Sequence, residues 1–483
     1  MAQTTYKEPN VYTAVKRITP TVARTPVDMY PLVIGTGAET MQRANVSFVV
    51  DDTGNITFEE NVTAIASVVT VDEWGEISTV ESFTKTKDEE TGFITGLTFA
   101  TETAGEETVD DGATSEETST NSPAKGDTVY VSYTAGASDD RYTLKRWTDE
   151  DDISDFYGAE VDENGNSNNI CIGGRLAKMA GSPVVYTLQI PKPTVTPGVD
   201  EATALLLAYR EALEENIVDK DGEPIWRINP VDPGVEKAIK KFVLDMSEPE
   251  ERAEKYASIN CSAAETCTTY NGLLAAYEAF CAKNLTYRGQ TFYPNTAKYT
   301  CADGTEIDVG GELIACAYAG FEQTMERRSQ STTHSEIPAG LLNLTGIKLK
   351  RAQKNAIASL GVTFLVQDTA YGSIMVRDAL SLDRSTAQVE DPCVTMAVDY
   401  YAKDLRYACA PYIGKYNIDV ETISKVRGTI ETTNATHIQN KNLKAVSISS
   451  LEQDPDNLQS LIVELSAGVL YPLKQINVNI VLE

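Results

Sequence analysis

SAGVLYPLKQINVNIVLE, residues 466–483, is the stretch on which the reading of this chain turns. Ile476, Val478, Ile480 and Leu482 alternate with Asn477, Asn479 and Val481, the period-two pattern of a strand with one face to bury. The pattern runs to residue 483, and the strand is expected to find no partner within its own chain. An unpaired strand of this kind is expected to add to another sheet, and the C-terminal quarter is expected to be a self-assembling module.

Working back from that strand, LKAVSIS (443–449) and SLIVELSAGVL (460–470) predict two further strands. Two helices are predicted before them, over Pro392–Ala410 and Val420–Ile430. LKRAQKNAIASL (349–360) predicts another helix, closed by Gly361 as its C-terminal cap and followed by strands VTFLVQ and SIMVRDAL. This last part is expected to begin near Gly346 and to run to residue 483.

The middle of the chain, 151–345, predicts an α/β domain. Its helices are expected over Asp200–Asn216, Val235–Met246, Ser262–Lys283 and Glu312–Arg327, and strands at SPVVYTLQI and EPIWRI. Ser247-Glu-Pro-Glu250 has the proline and acids of a capped helix start. Residues 31–150 predict a β-domain of short strands (NVSFVV, NITFEE, AIASVVTV, GFITGLTFA and TVYVSYT), interrupted by the acidic tract 102–127. Residues 1–30 carry Pro9, Pro20 and Pro26 around an alternating stretch at Val11–Val15, which predicts an extended arm with one strand.

At 483 residues the chain exceeds one ordinary core, and roughly three domains are expected. Hydrophobic residues at 42% and charged residues at 23% place it among folded proteins. The N-terminus has no basic, apolar and cleavage-site succession, so Sec export is not expected. No apolar run approaches the ~20 residues of a membrane helix, and a soluble protein is expected.

The net charge of −30 opposes nucleic-acid binding. It is unevenly spread: residues 31–155 hold 7 Lys/Arg against 27 Asp/Glu, whereas residues 346–483 hold 14 against 15. A balanced surface can meet a copy of itself without strong repulsion, so an acidic outer region on a self-associating core is expected.

The residues that carry chemistry argue against an enzyme. His334 and His437 are the two histidines, both in polar contexts, and neither has a nucleophile elbow nearby. Gly35-Thr-Gly37 lacks the third glycine and the helical unit of a dinucleotide site, and is expected to be a turn after an edge strand. Asp162, Asn164, Asn166 and Asn168 recur at spacing two, but Gly165 and Gly173 stand where a calcium loop does not place them.

The eight cysteines, Cys171, Cys261, Cys267, Cys281, Cys301, Cys316, Cys393 and Cys409, include no C-x-x-C pair. Cys267 and Cys281 on one helix would lie ~21 Å apart and Cys393 and Cys409 ~24 Å, beyond the ~7 Å a disulfide spans. The cysteines are either small buried hydrophobes or cross-links to another element or subunit. No catalytic residue, metal site or cofactor is expected.

In order, EPNVYTAVKRITPT (8–21), the stretch 149–190, ELIACAYAGFEQTMERRSQSTTHSEIPAGL (312–341), LKRAQKNAIASLGVTFLVQ (349–367), GSIMVRDALSLD (372–383), DPCVTMAVDYYAKDLRYA (391–408) and the closing 466–483 resemble the contractile phage tail sheath family, also found in phage-like injection systems. The resemblance covers residues 1–30 and most of 150–483, with 31–150 as an inserted, outward-facing acidic β-domain.

It implies a multidomain α+β and α/β chain whose C-terminal α/β sheath core carries extended N- and C-terminal β arms. It further implies a structural subunit of the virion tail, assembled in the bacterial host cytoplasm. Subunits form stacked hexameric rings around a tail tube, meet baseplate and tail terminator proteins, and contract to drive the tube through the host envelope. The arms it implies are Val11, Tyr12, Thr13, Ala14 and Val15, and Ile476, Val478, Ile480 and Leu482, each adding a strand to a neighbouring subunit. An acidic virion protein that recognises a receptor or glycan is the alternative reading.

Overall fold

The computed structural model describes residues 29–38, 40–71, 77–88, 92–99, 123–136, 139–162, 165–193, 200–217, 224–248, 251 and 253–474. The chain is a mixed α/β protein of several sheets. Its largest sheet has six parallel strands in the order Val362–Val366, Gly289–Tyr293, Tyr256–Ser258, Ile225–Pro230, Tyr30–Thr36 and Val185–Ile190. Antiparallel strands close it: Lys145–Trp147 on one edge, and Ile374–Asp378 followed by Glu336–Ile337 on the other.

Helices cover both faces, so the central strands are apolar almost throughout. Leu32 and Ile34 enter one core with Tyr209, Leu213, Ile239 and Tyr277, while Val33 enters the other with Leu176, Leu313 and Ile314. Helices Asn169–Met179 and Gly311–Glu322 pack closely in that second core. A Cβ at Gly320 would stand 1.9 Å from the Ala177 carbonyl oxygen, so only glycine fits there.

The sheet corrects the expected boundaries at two places. Tyr30–Thr36, assigned from sequence to the start of the outer β-domain, is paired in parallel on both sides in the middle of this sheet, not an edge strand. Its unbroken apolar run is the mark of a buried parallel strand, and the insertion that follows hides its partners, which lie more than 140 residues on. Strands Val362–Val366 and Ile374–Asp378, assigned to the C-terminal part, also belong to it, so the limit at 345/346 falls inside one sheet.

The inserted β-domain spans strands Thr40–Val49 to Thr128–Gly136, a six-stranded antiparallel sheet over a core that includes Ile56, Phe58, Val68, Leu97 and Tyr133. Most of the acidic tract 102–127 lies outside the described residues. The chain returns close to where it left, since Arg141 Nη1 donates to the Ala38 carbonyl at 3.1 Å.

Three helix predictions are also corrected. The 262–283 helix is two, Ser262–Glu265 and Tyr270–Lys283, because Thr269 caps the second by accepting from Gly272 N at 3.3 Å. Cys267 therefore does not share a helix with Cys281. Ser247 follows the end of helix Glu236–Met246 instead of starting one, its hydroxyl donating to Val243 O at 2.6 Å. The helix expected to stop at Ile430 continues to Gln439.

Candidate assembly surface

Asp391 opens the last described unit, accepting from Cys393 N at 3.1 Å ahead of Pro392, a capped helix start. Helix Pro392–Cys409 packs on helix Val420–Gln439, itself capped by Asp419, which accepts from Thr422 N at 2.7 Å. Against them lies an antiparallel hairpin, Leu443–Gln453 with Leu461–Val469.

The two strands predicted at 443–449 and 460–470 pair as this hairpin, and their side chains alternate. Ile448, Leu451, Leu461, Val463 and Leu465 pack against Leu405, Val426 and Ile430, whereas Ser447, Ser449, Glu452, Ile462, Glu464 and Ser466 are exposed. Among the described residues this sheet has two strands, so the outer edge of each presents a row of backbone N–H and C=O groups to no strand. Two strands alone make a marginal sheet, and the helices beneath supply the apolar contact that supports it.

The unit is tied to the large sheet by buried charges. Arg288 donates to Asp399 through Nη1 at 2.7 Å and Nη2 at 2.9 Å, and Trp226 Nε1 donates to the same carboxylate at 2.8 Å. Arg406 grips Glu254 with both terminal nitrogens. Burial opposes ionisation of Glu254, but the Arg406 guanidinium outweighs it and holds the carboxyl below the ordinary glutamate range. Lys474, the last described residue, donates to Asp378 Oδ1 at 2.8 Å and Ala379 O at 3.0 Å and stands 3.3 Å from Asp391. The residue that precedes the expected terminal arm is thus fixed to the core.

His437 lies in the last turn of its helix, as the polar context allowed, but it is buried. Its Nε2 is 2.9 Å from Asp404 Oδ2, between the rings of Tyr400 and Tyr401. Burial pushes the Asp404 carboxyl up, and the contact with His437 works against that rise. The pair is a bridge inside the helix pair.

At Gly35-Thr-Gly37 the strand end is closed by an acid: Asp232 Oδ2 accepts from Thr36 N at 2.7 Å and Oδ1 from Thr36 Oγ1 at 2.6 Å. A carboxylate there repels the phosphate a dinucleotide would bring. Asp162 is occupied within its own turn, accepting from Asn166 N at 2.7 Å and Asn166 Nδ2 at 2.8 Å.

The arm residues Val11, Tyr12, Thr13, Ala14, Val15, Ile476, Val478, Ile480 and Leu482 lie outside the described residues. All eight cysteines are free thiols; Cys171, Cys261, Cys281, Cys301, Cys316, Cys393 and Cys409 are buried and Cys267 is partly exposed. Burial pushes the Cys261 and Cys281 thiols up to about 12 and Cys409 to about 11, which leaves them weak nucleophiles. No described helix is long and apolar enough to cross a membrane.

The sequence matches no family model and no curated protein. The fold does match solved structures. One is the sheath complex of an extracellular contractile injection system, PVC, in its contracted state, with a TM-score of 0.53 and 14% identity over 71% of this chain and 87% of that one. Another is the helical sheath of the anti-feeding prophage, AFP, in its contracted state, at 0.51 and 12% over 72% and 90%. A chain of the six-fold symmetrised AFP baseplate gives 0.53 and 11% over 71% and 88%.

The chain therefore has the fold of contractile-sheath subunits. Among solved proteins it is similar to the sheath chains of tail-like injection systems.

Proposed function

We propose that this chain is a structural tail sheath subunit that polymerises with itself as stacked hexameric rings around a tail tube. Contraction of that polymer drives the tube through the host envelope, and no cofactor takes part. The observation that carries the reading is the hairpin Leu443–Gln453/Leu461–Val469, open on both edges among the described residues and seated on a unit locked to the core by Arg288–Asp399 and Arg406–Glu254. Two open edges suit two arms, so we assign Val11–Val15 and Ile476–Leu482 as strands donated to the hairpins of neighbouring subunits.

A donated strand bonds through the backbone and tolerates rotation of the globular parts, so links between subunits survive while the sheath relaxes to its contracted form. Baseplate, terminator and tube proteins are the further partners, and the acidic β-domain faces outward. Deleting Gln475–Glu483 tests the assignment. The truncated chain is expected to stay a folded monomer by light scattering and circular dichroism, and normal tubes from it would refute the arm.

A further inference from the structure

Residues 337–367 hold four cations, Lys348, Lys350, Arg351 and Lys354, and no Asp or Glu, in a chain whose net charge is −30. All four gather at the start of helix Arg351–Ala358, where Lys348, Lys350 and Arg351 are exposed and Lys354 is half-buried. The helix lies against strand Val362–Val366, and Lys354 Nζ stands 5.7 Å from the centre of the Phe364 ring. Arg377, on the next strand Ile374–Asp378, comes within 5.7 Å of the same ring and donates to Asn355 Oδ1 of the helix. None of these five cations makes an ion pair among the described residues. Acids close by in the chain are already taken, Asp378 by Lys474 and Glu390 by Arg384.

The helix gains nothing from this placement. A helix start carries about half a positive charge, so Lys350 at the cap and Arg351 in the first turn oppose it. Lys350 and Lys354, four positions apart, repel each other as well. Cations set against their own helix are matched instead by an acidic surface outside it.

The opposite edge of the same sheet presents such a surface. Residues 149–155 hold five acids and no Lys or Arg. They lead into helix Asp151–Tyr157, whose Phe156 and Tyr157 rings pack on Trp147 of the edge strand Lys145–Trp147. Asp149, Asp151 and Asp152 are exposed, and neither they nor Glu150 makes an ion pair among the described residues. Seven strand spacings of about 4.8 Å separate Ile374–Asp378 from Lys145–Trp147, roughly 34 Å. That is about four screening lengths at physiological ionic strength, so the two faces do not neutralise each other within one chain.

We propose that the basic face at Lys348, Lys350, Arg351 and Lys354 of one copy docks on the acidic face at 149–152 of a second copy. This rests on the reading of the chain as a self-assembling subunit, and adds a contact between globular parts to the donated strands. Because the two faces differ and stand on opposite edges of the sheet, the contact repeats head to tail. Such a contact builds a ring or a helix, not an isolated pair.

Assembly of the full chain, followed by light scattering and electron microscopy, tests the contact. Lys350→Glu combined with Arg351→Glu is expected to raise the concentration at which tubes form by at least about tenfold. Acids suit a helix start, so this variant should melt no lower than the native chain. Asp151→Lys combined with Asp152→Lys should weaken assembly likewise, although it lessens the overall negative charge. All four changes in one chain should restore assembly, because each face again meets its opposite. Should the lysine pair fail to fold, Asp151→Asn with Asp152→Asn takes its place in weakening assembly.

Normal assembly of the Lys350→Glu, Arg351→Glu chain overturns this contact and leaves the assembly reading standing. Lost assembly that the fourfold variant does not restore overturns it too, since the basic face would then meet a different acidic surface. A native chain that stays monomeric overturns the assembly reading and the contact together.

Discussion

Asp399 receives three hydrogen bonds from two distant parts of the chain, two from Arg288 and one from Trp226, and it is 1% exposed. Removing one member of a buried pair strands the other's charge. Arg288→Ala is expected to cost about 3–5 kcal/mol in urea denaturation, whereas replacing both members by apolar side chains of similar volume should cost much less.

Glu254 adds a pH signature. Its folded carboxyl is held below the ordinary 4.5 by Arg406, so the stability it contributes is present above that value and is lost as pH falls through the folded one. In Arg406→Met the strongest lowering influence is lost and burial is opposed only by Lys403 and a backbone hydrogen bond, so the stability lost on acidification should shrink. Acid and neutral unfolding midpoints of the two proteins check this.

None of these pairings was legible in the sequence. Arg288 and Asp399 are separated by 111 positions, and no local pattern marks a charge destined for burial.

At the scale of elements, the sequence was most readable where a single period governs. The hairpin strands alternate because one face meets helices and the other solvent, and the structure puts them within a few residues of the prediction. The helix runs past the predicted end at Ile430 to Gln439: Thr432, Thr433 and Thr436 are poor helix formers, yet Thr433, Asn434 and His437 are buried by packing. Tyr30–Thr36 was misplaced because its parallel partners are far off in sequence.

Two predictions belong here. Gly361 has a φ of 92° and a Cβ there would approach Ser381 O to 2.6 Å, so Gly361→Ala should cost about 1–3 kcal/mol in the same denaturation. Excision of residues 40–136 with a short linker should leave the large sheet folded, because Arg141 already holds Ala38 beside the return of the chain. Excision of 31–150 removes two of its strands and should unfold the protein, as read by near-ultraviolet circular dichroism.

Among the described residues, the architecture combines an acidic β-insertion with its own core, a nine-stranded sheet with helices on both faces, and a small two-helix unit bearing an open hairpin. The charge distribution visible in the sequence follows this division, since the last 138 residues are nearly neutral and carry the hairpin. Such a surface meets copies of itself at little electrostatic cost, while the acidic domain limits association elsewhere.

The chain has the fold of the PVC and AFP sheath proteins, and a role in assembly is what we propose for it. Electron microscopy of the purified full-length protein tests that role most directly. The account predicts long hollow tubes built of six-fold rings, lost on deletion of Gln475–Glu483, and a stable monomer at every concentration would contradict it.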